Sequence, residues 1–395
     1  EYFLQQDRVF YDGEDPSSTK ALSEAQERAY QEILLSFEQQ QICLLHGVTS
    51  SGKTEIYVKL IETVLRQGKQ VLYMLPEIAL TTQLIGRLQE YFGAKVAVYH
   101  SKYSVNERVE VWNNVLENKE KAQVVIGARS SLFLPFHELG LVIVDEEHEP
   151  SFKQYNPAPR YHGRDAAMML AHFHEAKTLL GSATPSLESY YNAQQEKYGL
   201  VSLTERFGKV LLPEMELVDL QEAYRKKKMT GHFSETLLLA MKETLEGGEQ
   251  IILFQNRRGY SPVVSCTTCG VSPQCPNCDV SLTYHQHKNQ LRCHYCGYHI
   301  AMLQSCMACG METLDTKGFG TEQIETELHS LFPEARIARM DQDTTRGKHA
   351  YGKLIEKLEQ QEIDILVGTQ MVAKGLDFRN VRLVGVMHAD NLLNF

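Results

Sequence analysis

The sequence has no run of about 18 apolar residues, the length a membrane-crossing helix needs, so no membrane partner is expected. It has no excess of positive charge: 40 Lys and Arg stand against 50 Asp and Glu, a net −10. That argues against a generally basic nucleic-acid binder but leaves a local binding track open. No internal repeat or low-complexity tract stands out, and a single Trp, Trp112, is present. The chain opens on Glu1 without a signal-peptide pattern, which reads as the start of a fragment. What is there belongs to a soluble globular protein: 43% hydrophobic and 23% charged residues, in a chain of 395 residues that can build two or three domains with cores of their own.

Short apolar runs alternate with helical patterns. Ile42–Leu45, 71–75, Val96–Tyr99, 124–126, 141–144 and 178–180 read as buried parallel strands. Leu80, Leu84, Ile85 and Leu88 share one helical face, and 22–37 reads as a helix. A second set follows from about 234, with strands at 251–254, 336–340, 363–367 and 383–387 and helices at 321–331 and 348–360. The pattern predicts α/β architecture with doubly wound parallel sheets. The expected organisation is a linker at 1–20, a first lobe at 21–205, a linker and the start of a second lobe at 206–262, a Cys-rich insert at 263–310 and the rest of the second lobe at 311–395.

Gly47-Val48-Thr49-Ser50-Ser51-Gly52-Lys53-Thr54 is a complete G-x-x-x-x-G-K-[ST] phosphate loop, with a strand before it and a helix after. Successive backbone N–H groups there converge on phosphates, and the helix adds its positive N-terminus. Lys53 is expected on the β/γ-phosphates of a nucleoside triphosphate and Thr54 on Mg²⁺. An apolar strand then ends in Asp145-Glu146-Glu147-His148. Asp145 is expected to hold Mg²⁺ through water, and Glu146 to orient or deprotonate the attacking water. His148 is a candidate relay. Gly181-Ser182-Ala183-Thr184 ends the next strand; Ser182 and Thr184 are coupling candidates, small hydroxyl residues able to hydrogen-bond the carboxylates or the γ-phosphate and so sense hydrolysis.

Between these motifs, aromatic and basic residues interleave in a Pro-rich stretch: Phe152, Tyr155, Arg160, Tyr161 and Arg164. Bases stack on such aromatics and cations meet phosphates. A surface loop pinned by its aromatics is the plain alternative. Arg257 and Arg258 follow a later strand and Lys374 lies in a strand-to-loop turn; these three are candidates for nucleic acid as well. Arg225-Lys226-Lys227-Lys228 reads as a solvated face.

Eight of the nine cysteines form four C-x-x-C pairs, Cys266/Cys269, Cys275/Cys278, Cys293/Cys296 and Cys306/Cys309. That is metal spacing, and nothing marks secretion. Cys43 reads as a buried strand residue. Sequential and nested pairings are both open; five residues between the first two pairs are few for folding back two knuckles, which favours nesting. The nested sites would be Cys266, Cys269, Cys306, Cys309 and Cys275, Cys278, Cys293, Cys296. Closed Cys₄ sites make two structural Zn²⁺ ions, not catalytic ones.

With these residues the chain resembles the replication restart helicases of the PriA (primosomal protein N′) family, within superfamily 2. The likeness rests on Gly47–Thr54, 75–81, 127–133, 145–148, 181–185, 254–260, 320–328 and 368–378, and on the eight cysteines. It implies two RecA-like lobes, the second carrying a zinc-binding insert, and an ATP-driven 3′→5′ DNA helicase. It implies activity at stalled forks, help in loading the replicative helicase, and nested zinc sites. As partners it implies single-stranded and forked DNA, primosome proteins, single-strand binding protein and the replicative helicase loader. The expected setting is a monomer in the bacterial cytoplasm. The family's N-terminal DNA-binding modules and the segment carrying its arginine finger are not in this sequence; Arg346 and Arg379 are the candidates for the finger. A non-motor zinc-ribbon module on a nucleotide-binding fold and an RNA helicase are the rival readings.

Overall fold

The computed structural model describes residues 19–76, 82–100, 103–118, 120–209, 211–255, 263–266, 268–269, 271–278, 280–285, 289–293, 296–317, 321–341, 344–345, 350–369, 372, 378–387 and 389. The chain divides into two compact units, Glu1–Glu214 and Met215–Phe395. The division falls inside the stretch expected to hold the linker.

The first unit strings together α1 (Glu24–Gln39), β1 (Ile42–Gly47), α2 (Lys53–Arg66), β2 (Gln70–Met74), α3 (Thr82–Phe92), β3 (Val96–Tyr99) and α4 (Val105–Leu116). It continues with β4 (Val124–Gly127), β5 (Leu139–Asp145), α5 (Gly163–Phe173), β6 (Lys177–Ser182), α6 (Leu187–Gln194) and β7 (Gly199–Leu203). The seven strands form one parallel sheet in the order β3-β4-β2-β5-β6-β1-β7. The inner strands are apolar along their length because helices cover both faces. Ile33, Ile56, Ile61 and Leu88, from α1, α2 and α3, pack in one core cluster. Val111, Val115, Ala167 and Ala171, from α4 and α5, pack in the other. α1 and α4 each begin on a capping box, Ser23 with Gln26 and Ser104 with Glu107, which satisfies two orphan N–H groups at each helix start.

The second unit begins with α7 (Leu220–Arg225), a small β8 (Met229–Thr230) and β9 (Phe233–Ser234) pair, α8 (Glu235–Glu246) and β10 (Gln250–Gln255). Next comes a meander of β11 (Val263–Cys266), β12 (Thr283–His285), β13 (Gln290–Arg292) and β14 (His299–Ala301), followed by β15 (Leu314–Lys317), which returns to pair with β11. Then α9 (Thr321–Leu331), β16 (Ile337–Met340), α10 (Ala350–Glu359), β17 (Ile365–Gly368) and β18 (Val381–Met387) complete it. β16-β17-β10-β18 is a four-stranded parallel sheet, and β14-β13-β12-β11-β15 a separate antiparallel one. The α/β reading with a Cys-rich insert in the second unit therefore holds. Its boundary moves: β15 pairs with β11 across Val263↔Lys317 to Cys266↔Leu314, so the insert runs to 317 and not 310. Among the described residues no helix is long and apolar enough to cross a membrane.

Candidate nucleotide-binding and metal-binding sites

The carboxyl edge of the first sheet gathers three of the motifs. β6 lies between β1 and β5, and its register sets Gly181 level with both Leu45 and Asp145. The phosphate loop leaves β1 two residues further on, the acidic motif leaves β5, and the Ser182–Thr184 turn leaves β6. Such edges are where open α/β sheets bind ligands.

The loop is held from several sides. The Val48 amide donates to the Leu203 carbonyl of β7 (3.0 Å) and the Phe207 amide to the Ser50 carbonyl (2.9 Å). Lys53 Nζ donates to the Gly47 carbonyl at 2.9 Å. Buried Gln26, whose own amide is capped by Ser23, donates its Nε2 to the Ser51 carbonyl at 3.1 Å. Gly52 takes the left-handed φ of 79°; a Cβ there would lie 2.2 Å from Gln26 Nε2. Ser50 and Glu146 hold left-handed φ values of 61° and 51° without being glycine, a strain of about 1–3 kcal/mol each that clusters at functional sites.

Asp145 sits at the end of β5 with its carboxylate tightly engaged. Oδ1 accepts from the Tyr57 hydroxyl at 3.0 Å and from the Glu146 amide at 3.1 Å, and Oδ2 accepts from the Tyr73 hydroxyl at 3.1 Å. Burial pushes its pKa up and the Glu146 charge adds to that; Lys53 and the two hydroxyls pull the other way. The tyrosines, themselves buried and beside a carboxylate, titrate well above their ordinary value.

His148 Nδ1 lies 2.8 Å from Ser182 Oγ and 3.7 Å from Glu146 Oε2, and Nε2 lies 3.5 Å from Thr184 Oγ1. Ser182 Oγ in turn accepts from the Thr184 amide at 3.0 Å. The three residues singled out for coupling are thus brought together.

Glu147 has a different part. It is 0% exposed and accepts from Arg164 Nη1 (2.8 Å), the Ser186 amide (2.7 Å) and Ser189 Oγ (2.8 Å). This corrects the placing of Arg164 on a nucleic-acid track: its guanidinium is buried and spent on Glu147, Asp165, Ser186 and Ser189. Phe152 is corrected too. It is 0% exposed within the core cluster beneath α5, so no base can stack on it. The other members of the stretch stay at the surface. Tyr155 is 69% exposed and Arg160 is exposed, while half-buried Tyr161 packs edge-on to Phe133 at 5.5 Å. Lys153 Nζ to the Arg160 carbonyl (2.7 Å) and Gln154 to the Pro157 and Pro159 carbonyls close the loop on itself. Arg257, Arg258, Lys374 and Arg346 lie outside the described residues; Arg379 is exposed.

In the second unit the eight sulfurs gather as two clusters, Cys266, Cys269, Cys306, Cys309 and Cys275, Cys278, Cys293, Cys296, with ligand atoms in each within 4.8 Å of one another. This is the nested arrangement. Sulfur–sulfur distances of 3.6 Å (Cys266–Cys309, Cys269–Cys306) and 3.5 Å (Cys275–Cys296) approach the ~3.8 Å that tetrahedral Zn–S bonds of about 2.3 Å require. They are far from the ~2.05 Å of a disulfide. Amides of Tyr298 and Ala308 point at Cys296 and Cys306 (3.5 and 3.4 Å), and the Thr313 hydroxyl lies 3.3 Å from Cys266 Sγ. Such partners favour thiolates, the form that binds metal. Both clusters can hold a metal ion.

Comparison with known proteins agrees with this division. Residues 23–193 match the DEAD/DEAH box helicase family model, and 275–300 match that of the PriA DNA helicase Cys-rich region. Replication restart protein PriA of Bacillus subtilis is 45% identical over 375 residues, covering 94% of this chain and 46% of the relative. That of Haemophilus influenzae is 44% identical over 352 residues, 89% of this chain and 47% of the relative. The chain belongs to the PriA family. It spans about half the length of the curated relatives it matches. Two solved structures share the fold at low identity. Helicase MrfA bound to DNA has a TM-score of 0.54 and 14% identity, covering 93% of this chain and 44% of that one. Saccharomyces cerevisiae Dbp5 bound to RNA and ADP BeF3 has a TM-score of 0.52 and 15% identity, covering 92% and 73%.

Proposed function

We propose that this PriA-family chain is the motor core of a replication restart helicase, which hydrolyses ATP to move 3′→5′ on DNA and unwind it at stalled forks. The observation that carries this reading is the alignment of the phosphate loop, the acidic motif and the Ser182–Thr184 turn on one sheet edge. The family membership gives that edge its substrate class.

The backbone of Gly47 to Gly52 would cradle the phosphates, with Lys53 turning from the Gly47 carbonyl to the β/γ-phosphates. Thr54 and Asp145 would hold Mg²⁺, which neutralises charge on the phosphates. Glu146, displaced from the strand by its left-handed backbone, would orient the attacking water. His148, in contact with both Glu146 and Ser182, would report the state of that water to the β6 turn and Thr184. Glu147 and Arg164 would hold the motif rigid. DNA would run past Tyr155, Arg160 and Tyr161, with Arg257, Arg258 and Lys374 as further proposed contacts. Two Zn²⁺ ions in the nested Cys₄ sites would stiffen an insert whose core is small. Primosome proteins, single-strand binding protein and the helicase loader are the proposed partners, and a monomer in the bacterial cytoplasm the proposed setting.

The test is equilibrium binding of ATP with and without Mg²⁺, followed by unwinding of a duplex with either a 3′ or a 5′ single-stranded tail. The reading expects Mg²⁺-dependent binding and unwinding with the 3′ tail. Preference for the 5′ tail would overturn the polarity, and no nucleotide binding would overturn the motor.

A further inference from the structure

Tyr57 and Tyr73 are both 0% exposed, yet neither follows from any motif. Tyr57 stands on α2, one turn after Lys53; Tyr73 stands on β2, beside β5 in register with Ile143. Their rings meet edge to face at 5.6 Å. Each buried hydroxyl has found the same partner, and each takes a different oxygen of Asp145. Gly181 makes the approach of Tyr57 feasible: a Cβ at that position would lie 1.8 Å from the Tyr57 hydroxyl. The carboxylate offers about four acceptor sites in all. Among the described residues, Oδ1 accepts twice, from Tyr57 and the Glu146 amide, and Oδ2 accepts once, from Tyr73.

We infer that Tyr57 and Tyr73 are positioning residues for the nucleotide-bound Mg²⁺. By occupying three of the acceptor sites together with the Glu146 amide, they clamp the rotation of the Asp145 carboxylate and leave Oδ2 the one site that can receive a metal-bound water. This rests on the proposed reading of the edge as a Mg²⁺–nucleotide site. Without the hydroxyls, the carboxylate gains rotational freedom and loses fixed aim, so Mg²⁺ must be present at higher concentration to be held with the nucleotide. A hydrogen bond to a charged group lost from such a site is worth roughly tenfold in an equilibrium constant.

The experiment measures binding of a fluorescent ADP analogue to the whole chain over a Mg²⁺ titration, for wild type, Tyr57→Phe, Tyr73→Phe, Asp145→Asn and the two Tyr→Phe changes on Asp145→Asn. Circular dichroism and thermal melting check each fold, so loss of structure is read separately. The expected result is a Mg²⁺ half-point raised several-fold to about tenfold in each Tyr→Phe variant, with affinity in EDTA unchanged. On Asp145→Asn the Tyr→Phe changes add nothing further. An unchanged Mg²⁺ half-point in both variants, or a full effect that persists on Asp145→Asn, overturns the inference while leaving nucleotide binding standing. A wild-type chain that binds no nucleotide overturns the parent reading, and the inference with it.

Discussion

Single residues decide which side of the aromatic stretch meets solvent. Phe152 and Arg164 have the composition of nucleic-acid contacts, but sequence composition does not say which side chains a turn points inward. The structure does: a 3₁₀ turn at Pro150–Phe152 drives Phe152 under α5, and Arg164, in the first turn of α5, reaches back to Glu147. Breaking a buried ion pair by removing one partner costs about 3–5 kcal/mol. Arg164→Ala is therefore expected to lower unfolding stability by that order in urea melts, and an Asp165→Ala change, at an exposed partner, by far less. Tyr155→Ala should instead leave stability intact and weaken single-stranded DNA binding, since a stacked base is worth about 1–3 kcal/mol. An equal loss of stability in Tyr155→Ala would place that ring in the core as well. Gln26, Tyr57 and Tyr73 were not legible at this scale. Each reaches its partner from another element, and no local pattern marks a Gln or Tyr as a brace.

At the scale of elements, the buried strands were legible because short, mostly apolar runs of three to five residues between helical patterns have few other uses. β7 was missed because it is an edge strand with alternating burial, Gly199, Val201 and Leu203 inward, in a run too short to stand out. It matters nonetheless, since its last carbonyl anchors Val48 of the phosphate loop. β15 was missed because Leu314-Asp315-Thr316-Lys317 carries no apolar run; only pairing with β11 makes it a strand. The cysteine spacing, by contrast, survived translation into geometry: each two-residue knuckle keeps its own two sulfurs together, and the five residues between the first two pairs are few for folding one knuckle back on the next, in keeping with the nested clusters. Cys275→Ser is expected to lower bound zinc from two equivalents to one and to leave nucleotide affinity unchanged; loss of both would mean that the clusters fold as one. The β17 end of the second sheet carries its own test. Arg336 donates to both oxygens of Asp364, and that hydrogen bonding holds the Asp364 pKa below its ordinary value. The stability it gives, at most about 1 kcal/mol for so exposed a pair, is full above pH ~4 and is lost as pH falls through the lowered pKa. The stability gap between wild type and Asp364→Asn should close on acidification through that range.

For the whole molecule, the phosphate loop belongs to the first compact unit and both sulfur clusters to the second. Lys53→Ala should therefore abolish nucleotide-dependent activity while metal content, read by atomic emission, stays at two equivalents. Zinc lost together with nucleotide would show that the two units do not fold separately. The most direct measurement of the central claim is ATP turnover by this chain alone, with forked DNA and with matched RNA. The account predicts turnover raised by the DNA and not by the RNA. Turnover that ignores DNA, or answers equally to RNA, would contradict it.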